Sequence, residues 1–270
     1  MVVCQKTFSA SFFKSQKHSK ENVMSTPFIS RCANCVLRRS GAFSSNTDRE
    51  IAFIQNFKHR EMDVEAASLL SREGATTGEL YTLLSGWAFR FRTLTNGKRQ
   101  ILNFLLPGDF IGLQEKLDAG CQNGVEMLTD GRVCCFPMGK IWDLYRDHPN
   151  LSYDLTWLAA HEELILDENL VSVGQRTAMQ RIAMLLIHLH KRAGSVGMRD
   201  VNGAVPFPVS QQHMADALGL SLVHTNKTLR RLAHAGLHVI KNGRLTLLKP
   251  DVMSRVADYY ALPARMRPLI

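Results

Sequence analysis

The sequence predicts an α+β fold: an N-terminal antiparallel β-roll, one long helix, and a C-terminal unit of short helices closed by a β-ribbon. Three observations carry that prediction. Short apolar runs separated by turn residues fill the stretch from about Leu70 to Phe136. Apolar positions recur at three-to-four spacing after Lys140, and residues 207–248 hold two capped helices ahead of an Asn-Gly hairpin. A chain of 270 residues is long enough for about two domains with adequate cores.

Residues 1–47 read as a basic arm carrying Cys32-Ala33-Asn34-Cys35. Its opening, MVVCQKTFSASFFKSQKHSK, is Ser-rich and acid-free and lacks the apolar core of a secretory leader, so a disordered arm is expected. Residues 48–58 look like a short lead-in helix to a roll spanning 48–147. Leu80-Tyr81-Thr82-Leu83-Leu84, Trp87 to Arg92 and Gln100 to Leu106 are its clearest strands, with turns at Ser85-Gly86, Asn96-Gly97 and Pro107-Gly108-Asp109. Such spacing of strands and turns argues an antiparallel roll or small barrel.

Residues 148–176 follow as one helix with a stripe of Leu151, Leu155, Leu158, Glu162, Ile165 and Asn169. A stripe of that length between two domains is expected to be a dimer seam, which makes a second copy of the chain a predicted partner. A helix packed on its own roll is the competing reading. A further helix, Ala178 to Arg192, turns Ile182, Leu185, Leu186 and Leu189 inward and opens a unit spanning 177–250, with 251–270 as a tail.

Within that unit Ser210 is a good N-cap, Pro208 disfavours helix upstream, and a first helix is expected from about Gln211 to Ala217. Gly219 stands where the chain must leave this helix with positive φ. Ser221 caps a second helix whose expected inward stripe is Leu222, Thr225, Leu229 and Leu232, leaving Val223, Asn226, Lys227, Arg230 and His234 outward. Leu237 to Ile240 and Leu245 to Leu248 flank Lys241-Asn242-Gly243-Arg244, a hairpin with a basic tip. The whole is a winged helix-turn-helix, an arrangement that seats a helix in a DNA groove. The outward face supplies what double-stranded DNA requires: Asn for an adenine edge, Lys for guanine or phosphate, Val for a thymine methyl. Gln211, Ser221, His224, Lys241 and Arg244 complete the predicted contact set.

Charge is segregated in the same sense. Residues 176–270 hold 14 Lys/Arg against 4 Asp/Glu, residues 61–175 hold 9 against 17, and residues 1–60 hold 10 against 3. The basic excess thus sits on the predicted DNA unit and the N-terminal arm, where it would supply the salt-dependent phosphate term of binding. An enzyme reading finds little support. A cupin-like metal site would need His on the strands, and none of the ten His falls between residues 60 and 147. No nucleophile elbow, phosphate-binding Gly loop or H-E-x-x-H is present either. No stretch is apolar enough to span a bilayer, so a cytoplasmic protein without a membrane partner is expected.

Leu106-Pro107-Gly108-Asp109-Phe110-Ile111-Gly112, Arg181-Ile182-Ala183, and Ala215 with Leu218-Gly219-Leu220-Ser221 together resemble the Crp/Fnr family of bacterial transcription regulators, over residues from about 30 to 250. The resemblance implies a cyclic-nucleotide-binding-like roll, a dimerising helix, signal-gated binding to a two-fold-symmetric operator, and contact with RNA polymerase. It also implies differences. Where the cyclic-AMP-responsive branch has Gly-Glu and Arg-Ser, this chain reads Gly112-Leu113 and Cys121-Gln122-Asn123-Gly124, so cyclic AMP loses its main anchors. A redox or oxygen signal is expected ahead of it, and a constitutive repressor or architectural protein with an empty roll is the alternative. The Glu and Arg that the branch uses to read bases fall on Val223 and Lys227, which predicts a different operator.

Six Cys without an export signal point away from disulfides. Cys32 and Cys35 match the start of the oxygen-sensing branch's C-x2-C-x5-C motif, and Cys134 falls at its fourth ligand, but Gly41 stands at the third. An iron–sulfur cluster normally takes four thiolates. A cluster completed by Cys4 or Cys135, a thiol redox sensor at Cys32, Cys35 and Cys134, and inert cysteines are the open readings.

Overall fold

A computed structural model describes residues 30–114, 122–259 and 266–270. The first twenty residues, Cys4 and Cys121, on which expectations were placed, lie outside the described residues. The arm enters through a 3-10 turn (Cys32–Asn34) and a short helix α1 (Val36–Arg39). Helix α2 (Asp48–Phe57) starts at Thr47, which forms a capping box with Glu50.

The roll consists of β1 (Arg60–Val64), β2 (Leu69–Ser71), β3 (Glu79–Ser85), β4 (Ala88–Thr93), β5 (Arg99–Leu105), β6 (Phe110–Ile111), β7 (Gly124–Met127) and β8 (Gly131–Pro137). They pair antiparallel into two sheets, β1-β8-β3-β6 and β2-β7-β4-β5. Strand β1 precedes the point at which sequence pattern alone starts the roll. Its Arg-Glu-Met-Asp-Val text alternates, but two of its polar side chains are held by ion pairs rather than by solvent: Glu61 with Lys58 at 2.7 Å and Asp63 with Arg132 at 2.6 Å. Because successive side chains on a strand point to opposite faces, Cys135 and Val133 enter the interior of the roll while Cys134 and Phe136 face outward.

Helices α3 (Ile141–Asp147) and α4 (Pro149–Gln175) cover that outward face. Leu151, Leu155 and Leu158 join Ile54, Phe57, Leu80 and Phe136 in one core. The stripe expected to be a dimer seam is therefore used within a single chain. Leu151, Leu155, Leu158 and Ile165 are buried, Glu162 accepts from Asn103 and pairs with Arg90 at 2.9 Å, and Asn169 donates to the Leu102 carbonyl at 2.8 Å. Five of the six face their own roll, and Ile165 is buried within the same chain. The reason is stoichiometric: a helix lying along an apolar sheet must first satisfy that sheet.

The C-terminal unit is built around α5 (Ala178–Ser195), capped by Thr177 with Gln180. Around it lie β9 (Val205–Pro206), α6 (Gln211–Leu218), α7 (Leu222–His234), the pair β10 (His238–Lys241) and β11 (Arg244–Leu247), and α8 (Pro250–Ala257). The sheet order is β10-β11-β9. Helix α8, within the stretch expected to be a tail, buries Met253 and Ala257 in this core. The same core continues into the roll through Trp87, Phe89, Phe91, Ile101, Phe104 and Leu106, so the winged unit rests on β4 and β5.

Candidate nucleic-acid interface

Local rules build the two helices as the sequence predicts. Ser210 Oγ accepts from the His213 amide at 3.1 Å, Gly219 takes φ 63° at the end of α6, and Ser221 Oγ accepts from the His224 amide at 3.2 Å to start α7. Thr225, Thr228, Leu229 and Leu232 are buried beneath α7. Leu222 does not join them. It is 43% exposed in the first turn, and Thr228 takes the inward place instead.

The opposite face is open. Val223 is 78% exposed, and His224, Lys227, Arg230 and His234 are exposed as well. Asn226 is half-buried at the edge of this face, and its amide oxygen is enclosed without a hydrogen-bond partner. Gln211 and Ser221 are exposed at the N-termini of α6 and α7, and Lys241 is exposed at the hairpin tip. Arg244 departs from the expected set. It donates to the Ala204 carbonyl at 2.8 Å and pairs with Asp200 at 2.9 Å, so its guanidinium braces the wing against the β9 loop. Sequence pattern cannot find that partner, 44 positions upstream across a sheet.

Three arginines hold this face in place. Arg181 donates from Nε to the Arg176 carbonyl at 2.8 Å and from Nη1 to the Leu218 carbonyl at 2.9 Å, tying the α4–α5 hinge to the turn that aims α7. Arg176 itself binds Ser172 Oγ at 2.8 Å and the Glu168 carboxylate. Arg192 in α5 donates to the Phe104 carbonyl at 2.7 Å and to Asp109 at 2.5 Å. Burial alone would raise the Asp109 carboxyl, but the Arg192 and Arg267 charges beside it hold it at about 2. Nearby, burial pushes His161 down to about 4, and the same two arginines push it in the same direction. Burial, with Arg192 adding, takes His188 down to about 3. His190 meets the Gly203 carbonyl at 2.9 Å and belongs to the unit's own framework.

The arm brings Cys32, Cys35 and Cys134 into one electrostatic neighbourhood. Cys32 and Cys134 are buried and Cys35 is half-buried. Burial raises the Cys32 thiol against the opposing Lys58 and Arg38 charges, and raises Cys134 well above the usual thiol range. Cys135 points away into the roll, where burial lifts it to about 12. Gly41 supplies no thiolate at the third motif position, Cys135 is turned the wrong way, and among the described residues no group of three or more His, Cys, Asp or Glu is placed to hold a metal ion. An iron–sulfur cluster does not fit the residues described.

A cavity of about 130 Å³ lies between the roll and α4, lined among others by Ser71, Tyr81, Arg90, His161, Glu162 and Arg267. Pockets for ligands of drug size are roughly 300–1,000 Å³. Arg90, which lines it, is paired with Glu162.

Residues 61–148 match the model of the cyclic nucleotide-binding domain, and residues 180–256 match that of the Crp-like helix-turn-helix domain. The nitrogen fixation regulation protein FixK of Bradyrhizobium diazoefficiens is 28% identical over 235 residues, covering 87% of this chain and 97% of that protein. The transcriptional activator protein FnrL of Cereibacter sphaeroides is 25% identical over 218 residues, covering 80% and 87%. Among solved structures, FixK2 from Bradyrhizobium japonicum superposes with a TM-score of 0.66 at 21% identity, covering 75% of this chain and 98% of that one, which bears on the fold. No helix among the described residues is long and apolar enough to cross a membrane. With a cyclic-nucleotide-binding-type roll, a long covering helix and an exposed, capped recognition helix in a basic unit, the chain belongs to the Crp/Fnr family and is a DNA-binding transcription regulator.

Proposed function

We propose that this regulator acts in the cytoplasm as a homodimer on a two-fold-symmetric operator. In this reading α7 enters the major groove, with Val223, His224, Asn226, Lys227 and Arg230 at base edges and phosphates, and Gln211, Ser221 and Lys241 on the backbone. The observation that carries it is the open outward face of α7 within a unit of strong basic excess. Two copies are needed because the recognition helices of such dimers sit about 34 Å apart, one turn of duplex.

The partner copy would meet a row other than the one now buried. Tyr153, Trp157, Ala160, Leu164, Asp167, Val171 and Gly174 repeat at alternating spacings of four and three along α4, and every one is exposed except Trp157, which is half-buried. That is coiled-coil spacing, with small residues where two backbones approach. The signal that gates binding is assigned to thiol chemistry at Cys32, Cys35 and Cys134 rather than to a cyclic nucleotide, because the arm gathers these three and the roll cavity is small. Contact with RNA polymerase belongs to the same reading, and relatives named as transcriptional activators support an activating role. No enzymatic role is assigned.

The test is specific DNA binding by Asn226→Ala and Lys227→Ala. Each is expected to weaken operator affinity by about 1–3 kcal/mol while nonspecific binding changes little. Unchanged specific affinity in both folded dimers would remove α7 from the interface.

A further inference from the structure

Residues 266–270 do not trail from the winged unit but run back into the centre of the molecule. Pro268, Leu269 and Ile270 are all buried. The Arg267 backbone pairs in parallel with Phe43 of the arm, and its carbonyl accepts from the Ser44 amide at 2.8 Å. Arg38 donates to the Leu269 carbonyl at 3.1 Å, and Thr82 of β3 donates to the Ile270 carbonyl at 2.6 Å. The segment therefore touches the arm and the roll through backbone and side chain alike.

Its side chains reach two further places. Leu269 packs with Leu37, Phe43 and Val196, which joins the arm to the end of α5. Arg267 binds Asp109 at 2.6 Å, the same carboxylate that holds Arg192 of α5 at 2.5 Å. Asp109 is fixed in turn, its other contact being the Leu106 amide at 2.8 Å. Ile270 lies in the core that contains Cys32 and Cys134. One five-residue segment thus shares a core with two of the three gathered thiols and shares the ion-pair junction that fastens the winged unit to the roll.

We propose that residues 266–270 form an internal strap with two linked states. Docked, it covers Cys32 and Cys134 and clamps α5 to the roll; withdrawn, it exposes both thiols and frees the winged unit to move about the hinge at Gln175–Thr177. Linkage makes the coupling reciprocal: an agent that reacts only with the exposed thiols draws the population toward the withdrawn state, and withdrawal loosens α5. The thiol half stands whether or not the assignment of individual DNA contacts holds, since its readouts need no DNA.

The experiment compares the full chain with a variant lacking residues 266–270 and with the milder double variant Arg267→Met, Thr82→Val. Iodoacetamide labelling is followed peptide by peptide by mass spectrometry, and amide exchange is measured over residues 186–196. Cys135, buried on the other face of β8 in a core without the strap, reports general loosening. Loss of the strap is expected to speed labelling of Cys32 and Cys134 at least tenfold, leave Cys135 within about twofold, and raise exchange at the end of α5. The double variant shifts the same peptides in the same direction by a smaller factor, and carries the comparison if the deletion does not fold. Equal labelling in the folded variants, a parallel rise at Cys135, or thiols exposed without change in α5 would each overturn the proposal.

Discussion

At Gly108 the sequence leaves room for a ring: a Cβ there would lie 2.3 Å from Phe43, which the arm lays over the Pro107-Gly108 turn. Next to it Asp109 accepts from the Leu106 amide and from two arginines 83 and 158 residues away. The Leu-Pro-Gly-Asp text is visible in the sequence as a turn, yet its function as a junction is not, because the partners are distant. Arg181 is similar. It stands in a recognised motif, but only the folded chain shows it spanning the hinge and the recognition turn. Arg181→Ala is expected to lower operator affinity with the helices intact, and Arg181→Lys to restore it only in part, because one ammonium cannot reproduce the two-sided guanidinium contact. Circular dichroism equal to the parent, together with increased amide exchange at 218–222, would mark it as a positioning residue. Unchanged affinity in Arg181→Ala would deny it that role.

Element by element, helix α4 carries the largest revision. Its periodicity is plain in the sequence, and two rows satisfy it, one facing the roll and one facing outward. Pattern alone cannot say which row an intrachain sheet will claim. The structure gives Leu151, Leu155 and Leu158 to the roll, buries Ile165, and leaves Tyr153, Leu164 and Val171 open. Leu155→Ala should therefore destabilise the protomer by about 2–5 kcal/mol without changing the dimer constant of the protein that remains folded. Leu164→Glu should do the reverse, shifting sedimentation toward monomer at unchanged protomer stability, since it places a charge in the outward row. If Leu155→Ala alone separates the copies, the inner row is the seam after all. Helix α7 needed less revision, because its caps and turn are local and readable: Ser210, Gly219 and Ser221 do what their residue types favour.

Across the whole molecule, the junction of roll, α4, α5 and strap is held by groups with displaced protonation. Neutral His161 lies near Arg192 and Arg267 and neutral His188 near Arg192, both with folded-state values below the usual 6.5. In the unfolded chain these histidines take up protons near 6.5 that the folded chain refuses. Stability is therefore complete above that value and falls as the pH drops toward 4 and then 3, by at most about 1.4 kcal/mol per unit for the half-buried His188. The contribution of Asp109, held at about 2, persists until the pH falls below the ordinary carboxylate value and is lost as it approaches 2. Thermal unfolding is expected to shift downward from about pH 7 to about pH 5 in the parent, and by clearly less in His188→Gln. Equal pH slopes in the two proteins would show that His188 is not protected from protons.

Composition and pattern determined the roll, the long helix, the winged unit and the outward face of α7, because caps, turns and period-2 or three-to-four spacing are written over a few adjacent residues. The resemblance to the Crp/Fnr family's cluster motif placed Cys32, Cys35 and Cys134 as a related set, and charge segregation marked the basic unit. Tertiary structure alone decided which row of α4 is inward, that Arg244 braces the wing, that Cys135 turns away from its neighbours, and that residues 266–270 return to the centre. Each of those depends on a contact between positions far apart along the chain, where the choice is made by which surface is left to bury, and no local spacing encodes it.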